Sequence, residues 1–259
     1  MDGLQINLEQ DLHRGDASVE RFALHVVRQV VGGGCIDRGE PARDMLALMV
    51  RHARTGHPEL LDMIVRRITA ERIPAERVVD VYIPKAAYRI GAAWHAGELD
   101  VLGTSVAIAR LQGLLRVIGR AWIADAAPVG ADLRVLLTVP QGEQHTLGAI
   151  IASHQLRRLG VSVKLEFMPS TRRLAQIVAE NEFDAVMISV ANRSLLEPSR
   201  KMVKTIKRDS VVSVPVIIGG PLAVEMPGLA DDTGADYATT CIAEALSATG
   251  LIHQDRAAQ

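Results

Sequence analysis

Apolar side chains recur at helical spacing through the first half of the chain and as short continuous runs through the second. Residues 18–31 (VERFALHVVRQVVG) carry a helical pattern that ends at the GGG of 32–34, where helix propensity collapses. Four further helical stretches follow at about 41–54, 58–70, 74–95 and 99–124, separated by the short breaks TGHP, RIP and AGEL. Short connections favour antiparallel neighbours, so these four predict a helix bundle. After DAAPVGAD the runs RVLLTV (134–139), VSVKLEFM (161–168), AVMISV (185–190), VPVIIGG (214–220) and DYATT (236–240) alternate with helical patterns at 146–159, 171–181, 195–208, 222–230 and 242–250. Each parallel crossover needs a helix, so five such units predict a parallel sheet covered on both faces. The fold class expected is α plus α/β: an N-terminal helical arm (1–35), a four-helix bundle (36–126) and a Rossmann-like (flavodoxin-like), five-stranded parallel domain (131–252).

Composition narrows this picture. With 48% hydrophobic but only 3% aromatic residues, the cores are built from Val, Ile, Leu and Ala, and Trp94 and Trp122 stand out. A formal charge of -1 gives no global field for a phosphate backbone, so direct nucleic-acid binding is not expected. The basic stretch RKMVKTIKR (200–208) reads as a solvated helix face. Cys35 and Cys241 match neither a disulfide framework nor a paired metal motif, which suits a reducing cytoplasm. The start MDGLQINLEQD is polar and acidic where a signal peptide is basic and then apolar. No unbroken apolar run reaches the length of a membrane span.

Ligands of open α/β sheets gather at the carboxyl ends of the strands. Three of the loops there are unusual. After the first run, PQGEQHTLG sets Glu143, Gln144, His145, Thr146 and Gly148 between a strand and a helix. The third run leads into Ser189, Val190 and Ala191, and the fourth ends in Gly219 and Gly220. An imidazole on such a loop can ligate a metal centre lying across the strand ends, with a nearby carboxylate fixing its tautomer. Taken alone, His145 is more often a structural residue, Ser189 a backbone cap and the glycine pair a turn. His13, His25, His52, His57 and His154 read as surface or helix-face residues, and none pairs at metal-ligand spacing.

Together the three loops resemble the D-x-H-x-x-G, S-x-L and G-G elements of the cobalamin-binding domains found in methionine synthase, corrinoid methyl carriers, mutases and the photoreceptor CarH. Here they stand as E-x-H-x-x-G at 143–148, S-x-A at 189–191 and G-G at 219–220, in register with one another. The resemblance implies that His145 is the lower axial ligand of cobalt, that Ser189 hydrogen-bonds the cofactor's buried base, and that Gly219 and Gly220 let its tail pass. It further implies that Gly148 lets the first helix approach. Glu143 in place of Asp adds a methylene, which puts its bond to His145 in doubt, and Ala191 in place of Leu is expected to widen the tail groove.

The bundle extends the resemblance. Cobalamin photoreceptors carry Trp followed by nine residues and then Glu-His; this chain has Trp94, with Thr104 and Ser105 in the places of Glu and His. Trp94 is thereby assigned to the upper corrin face, while His95 is not taken as a ligand. The family most resembled is the AerR/PpaA type of antirepressor from purple photosynthetic bacteria. That implies a light-responsive, non-enzymatic regulator of photosynthesis genes whose partner is a transcriptional repressor. A corrinoid methyl carrier of a methyltransferase system is the first alternative, and a haem-binding sensor of the same fold, again ligated by His145, is the second.

Overall fold

The structure, a computed structural model, describes residues 40–126 (119–126 as backbone only) and 133–251. The expected arm at 1–35, with its helix at 18–31, and the residues from 252 onward lie outside the described residues. The chain divides into two compact units, with the boundary along the sequence between Arg120 and Ala121.

The first unit is helical. Helix α1 (Arg43–Thr55) buries Met45, Leu46, Met49 and Ala53, and α2 (Pro58–Ala70) buries Leu60 and Ile64. The single helix expected at 74–95 is instead a turn (Ala75–Arg77), a π-helical segment (Val78–Tyr82) and α3 (Ile83–His95). Pro84 explains the interruption. Its nitrogen carries no hydrogen for the carbonyl four residues earlier and its ring crowds that carbonyl, so the preceding turn widens. The π segment is well packed, with Val78, Val79, Val81 and Tyr82 all buried and Tyr82 Oη accepting the Ala42 amide at 3.1 Å.

Helix α4 (Val101–Ala126) buries Ala107, Leu111, Leu114, Leu115 and Ile118, one stripe at helical spacing. The window Val101–Ile118 is long and apolar enough to cross a membrane by length and composition, with mean hydropathy 1.4, though it is not an unbroken apolar run. It nevertheless carries Arg110, whose Nη1 donates to the carbonyls of Ala53 (2.9 Å) and Arg54 (3.0 Å). There the guanidinium meets unpaired C-terminal carbonyls and the negative end of the α1 dipole.

The second unit is a five-stranded parallel sheet in the order β2-β1-β3-β4-β5, formed by β1 (Arg134–Val139), β2 (Ser162–Phe167), β3 (Ala185–Ser189), β4 (Val216–Gly219) and β5 (Tyr237–Ala238). The flavodoxin-like order expected from the sequence is thus observed. Alternation sorts the strand residues between two cores. Leu136, Val186, Ile188, Val216 and Ile218 pack with Leu174 and Ile177 of α6 (Thr171–Glu180) and Met202, Val203 and Ile206 of α7 (Leu196–Asp209). On the other face Val135, Leu137, Ala185, Met187 and Ile217 meet Leu156 of α5 (Leu147–Arg158) and Ala245 and Leu246 of α10 (Ile242–Ala248). The helix expected at 222–230 breaks into α8 (Leu222–Glu225) and α9 (Leu229–Thr233). Pro227 forces Met226 into extended backbone, which ends the first piece.

Two readings of single residues need correction. His52 and His154 are buried rather than superficial, because each lies on the inward stripe of its helix. Cys241 is not a free thiol; separation along a chain sets no lower limit on distance in space. The basic residues at 200–208 do form an exposed, paired face, with Lys201 against Glu197, Lys207 against Asp236 and Arg208 against Asp209.

Candidate functional site

The chain leaves β1 for the sheet edge at β2 and returns to β3, so β1 and β3 flank the point where strand order reverses. In open α/β sheets ligands bind at such a point, between loops that lead away in opposite directions. Two of the three loops singled out in the sequence, 140–146 after β1 and 190–192 after β3, flank that point.

The first loop begins as a tight turn. Pro140 accepts the Glu143 amide at 3.2 Å, and Gly142 takes φ +87°, a conformation that disfavours side chains. The turn directs Glu143 inward until only 1% of its side chain is exposed. Three donors then converge on that carboxylate. Oε1 accepts the His145 backbone amide at 2.8 Å and lies 2.8 Å from His145 Nδ1, while Oε2 accepts the Ala191 amide at 2.8 Å. A buried carboxylate needs this degree of satisfaction to be tolerated. The extra methylene of Glu143, which put the histidine contact in doubt, does not break it. The longer side chain spans from one loop to the other while keeping His145 in hand.

His145 is thereby fixed without being buried: 43% of its side chain is exposed. Because a carboxylate only accepts, Nδ1 carries the proton of this bond, so a metal held by this ring would take Nε2. Gln144 beside it is exposed, and Thr146 caps the start of α5 through its backbone, its carbonyl accepting Ile150 N at 3.1 Å.

Gly148 departs from expectation. A Cβ built there meets nothing within 4 Å, so the approach of α5 to the sheet does not require glycine. What glycine leaves is open space one turn into the helix that follows His145.

The glycine pair behaves differently. Ser189 and Gly219 are paired in register on adjacent strands, and Val190 N donates to Gly219 O at 2.9 Å. A Cβ on Gly219 would come within 2.9 Å of Thr239 O. One on Gly220, at φ +90°, would lie 2.6 Å from Val190 O and 3.1 Å from Ser189 Oγ. The end of β4 is thus wedged between the ends of β3 and β5. Side-chain alternation sets Ser189 and Gly219 on the sheet face covered by α5 and α10, beside Met187 and Ile217. Ser189 is half-buried, and its hydroxyl makes no hydrogen bond to a described residue.

A half-exposed imidazole with a buried carboxylate behind it, a half-buried hydroxyl and glycines that keep the strand ends bare are donors and spaces that suit a corrin with a buried tail. Ala191, buried at 5% exposure, contributes its amide to Glu143, a role that residue identity gave no sign of. Among the described residues no group of three or more His, Cys, Asp or Glu side chains gathers to hold a bare metal ion. Trp94 lies in the helical unit near the end of α3, with its ring 5.5 Å from that of His95.

A family model described as "B12 binding domain" matches residues 133–247. A protein of Rhodobacter capsulatus, described as "Uncharacterized 20.5 kDa protein in bchF-crtJ intergenic region", is 36% identical over 192 residues, 74% of this chain and 100% of that protein. Among solved structures, a cobalamin-binding protein from Desulfitobacterium hafniense is similar at TM-score 0.40 and 15% identity, over 80% of this chain and 98% of that one. The methanol:cobalamin methyltransferase complex MtaBC from Methanosarcina barkeri is similar at TM-score 0.36 and 12% identity, over 75% of this chain and 79% of that one. The match along the whole of the Rhodobacter relative, with the family match over the α/β unit, shows that this chain belongs to the B12-binding-domain family, and cobalamin is its cofactor.

Proposed function

We propose that the chain is a light-responsive antirepressor, a non-enzymatic regulator that reads the state of its cobalamin and passes it to a transcriptional repressor by protein contact. The observation that carries the reading is the Glu143 bridge. One carboxylate holds the axial histidine and also the amide of Ala191, so a change in the His145 bond is felt directly in the loop after β3. A regulator needs such an element, whose arrangement depends on ligand chemistry. The relative's place between bchF and crtJ supports the same reading, in line with the AerR/PpaA resemblance.

Bound cobalamin supplies a cobalt–carbon bond that light can break. The chain's own residues do the rest. Glu143 holds His145 Nδ1, so His145 would offer Nε2 to the cobalt, Ser189 would give a hydroxyl to the cofactor's base, and Gly148, Gly219 and Gly220 would keep bulk away from corrin and tail. Gln144 and Thr146 flank the ligand, and Trp94 is assigned to the upper face.

The intact carboxylate–histidine pair suits a corrinoid methyl carrier as well, which is the second reading. One comparison separates them. The antirepressor reading expects capture of the cognate repressor to differ between apo, dark-loaded and illuminated protein. Equal capture in all three states, together with catalytic methylation of the bound cobalt by a methyltransferase, establishes the carrier instead.

A further inference from the structure

In the helical unit a groove of about 460 Å³ is lined by Ala47, Val50, Arg51, Arg54 and Thr55 of α1 and by Arg89 of α3. Ala47, Val50, Arg51 and Arg54 follow one another at i, i+3, i+4 and i+7, so α1 presents a single face of two aliphatic and two cationic residues. Only Arg54 has an acidic partner, Glu98 at 3.2 Å, and that pair is exposed at both ends, where ion pairs contribute little and exchange readily. Neither Arg51 nor Arg89 forms an ion pair with a described residue. On α7, by contrast, Arg200, Lys201, Lys207 and Arg208 each face Glu197, Asp236 or Asp209. Arg51 and Arg89 thus bring positive charge without an acidic partner to the edge of this apolar floor.

We propose that the groove is a docking site for an acidic amphipathic helix of a partner protein, whose carboxylates pair with Arg51, Arg54 and Arg89 while an aliphatic side chain rests on Ala47 and Val50. A guanidinium takes a carboxylate through two parallel hydrogen bonds, which sets orientation as well as attraction. A helix laid in a groove reads its partner through anchors at the same spacing that α1 presents. Single-stranded nucleic acid fits less well: no aromatic side chain lines the groove for base stacking, and an apolar floor does nothing for a phosphate backbone. The site is read from the helical unit alone and stands apart from the cofactor reading.

The test uses the full chain and a fluorescein-labelled helical peptide of Glu and Leu, followed by fluorescence anisotropy. Binding is expected, weakening as salt rises, and lost when Lys replaces Glu in the peptide. The double variant Arg51→Glu/Arg89→Glu should bind at least about tenfold more weakly. Arg66→Glu, on α2 outside the groove, should bind as the parent does. Circular dichroism checks folding; if the reversal does not fold, Arg51→Gln/Arg89→Gln takes its place and should also weaken binding. No binding by the parent chain, equal binding by the groove variants, or displacement by inorganic phosphate or a duplex oligonucleotide at concentrations that match the peptide would overturn the proposal. Because apo protein suffices, failure here leaves the cobalamin reading untouched.

Discussion

Glu143 Oε2 accepts the backbone amide of Ala191 at 2.8 Å, joining the loop after β1 to the loop after β3 across the point where strand order reverses. The carboxylate's other oxygen holds His145 through both backbone and ring. The positions of His145 and of the loop after β3 therefore depend on one side chain.

Glu143→Gln tests that dependence. A carboxamide sets two hydrogens where the native oxygens receive donors, so at least one buried N–H loses its acceptor. The expected loss of stability is about 1–3 kcal/mol, read by denaturant unfolding. Cobalamin affinity should fall roughly 10–100-fold, because the carboxylate behind the ligand is gone. Glu143→Asp should retain part of the affinity while losing the reach to Ala191.

The glycines separate into two kinds. Gly220→Ala adds a Cβ 2.6 Å from Val190 O at φ +90°, and the backbone conformation alone should cost about 1–3 kcal/mol, visible as a lowered melting temperature without cofactor. Gly148→Ala meets no neighbour and improves helix propensity, so the apo protein should melt no lower than the parent. Its cobalamin affinity should nevertheless fall. An unchanged affinity would show that the open space at Gly148 has no part in binding.

Acid should weaken the helical unit through His52. Burial pushes its pKa below 6.5; a backbone hydrogen bond at His57 opposes this, and the charge of Arg110 adds to it. Below pH 6.5 the unfolded chain takes up a proton that the folded unit resists, so unfolding binds protons and stability falls as pH drops toward the folded value. Thermal melts between pH 7.5 and 5 should show this slope, and His52→Gln should flatten it.

Trp94 is checked by fluorescence in a Trp122→Phe background, which leaves it the only tryptophan. Titration with cobalamin should quench it. Emission that stays constant after correction for cobalamin absorbance would remove Trp94 from the site.

Much of this was legible in the chain. Hydrophobic period separated the helices from the strands, and the loops with chemistry followed from the rule that ligands sit at strand carboxyl ends. Helix interruptions at Pro84 and Pro227 were not foreseen, because the apolar period continues through both prolines. The Glu143 bridge was hidden for a different reason: its second acceptor meets a backbone amide, which leaves no mark on residue identity at Ala191. Gly148 was placed correctly but explained wrongly, since a motif gives a residue type and not what surrounds it. The groove at Arg51 and Arg89 could not be read at all, as those residues become neighbours only when α1 and α3 pack.

The central claim is that His145 is the axial ligand of bound cobalamin. Absorption spectra of the reconstituted parent chain and of His145→Ala, recorded in the dark and after illumination, test it most directly. The account predicts that the variant's bound-corrin spectrum is shifted from the parent's or that binding is lost; an unchanged spectrum at unchanged affinity would contradict it.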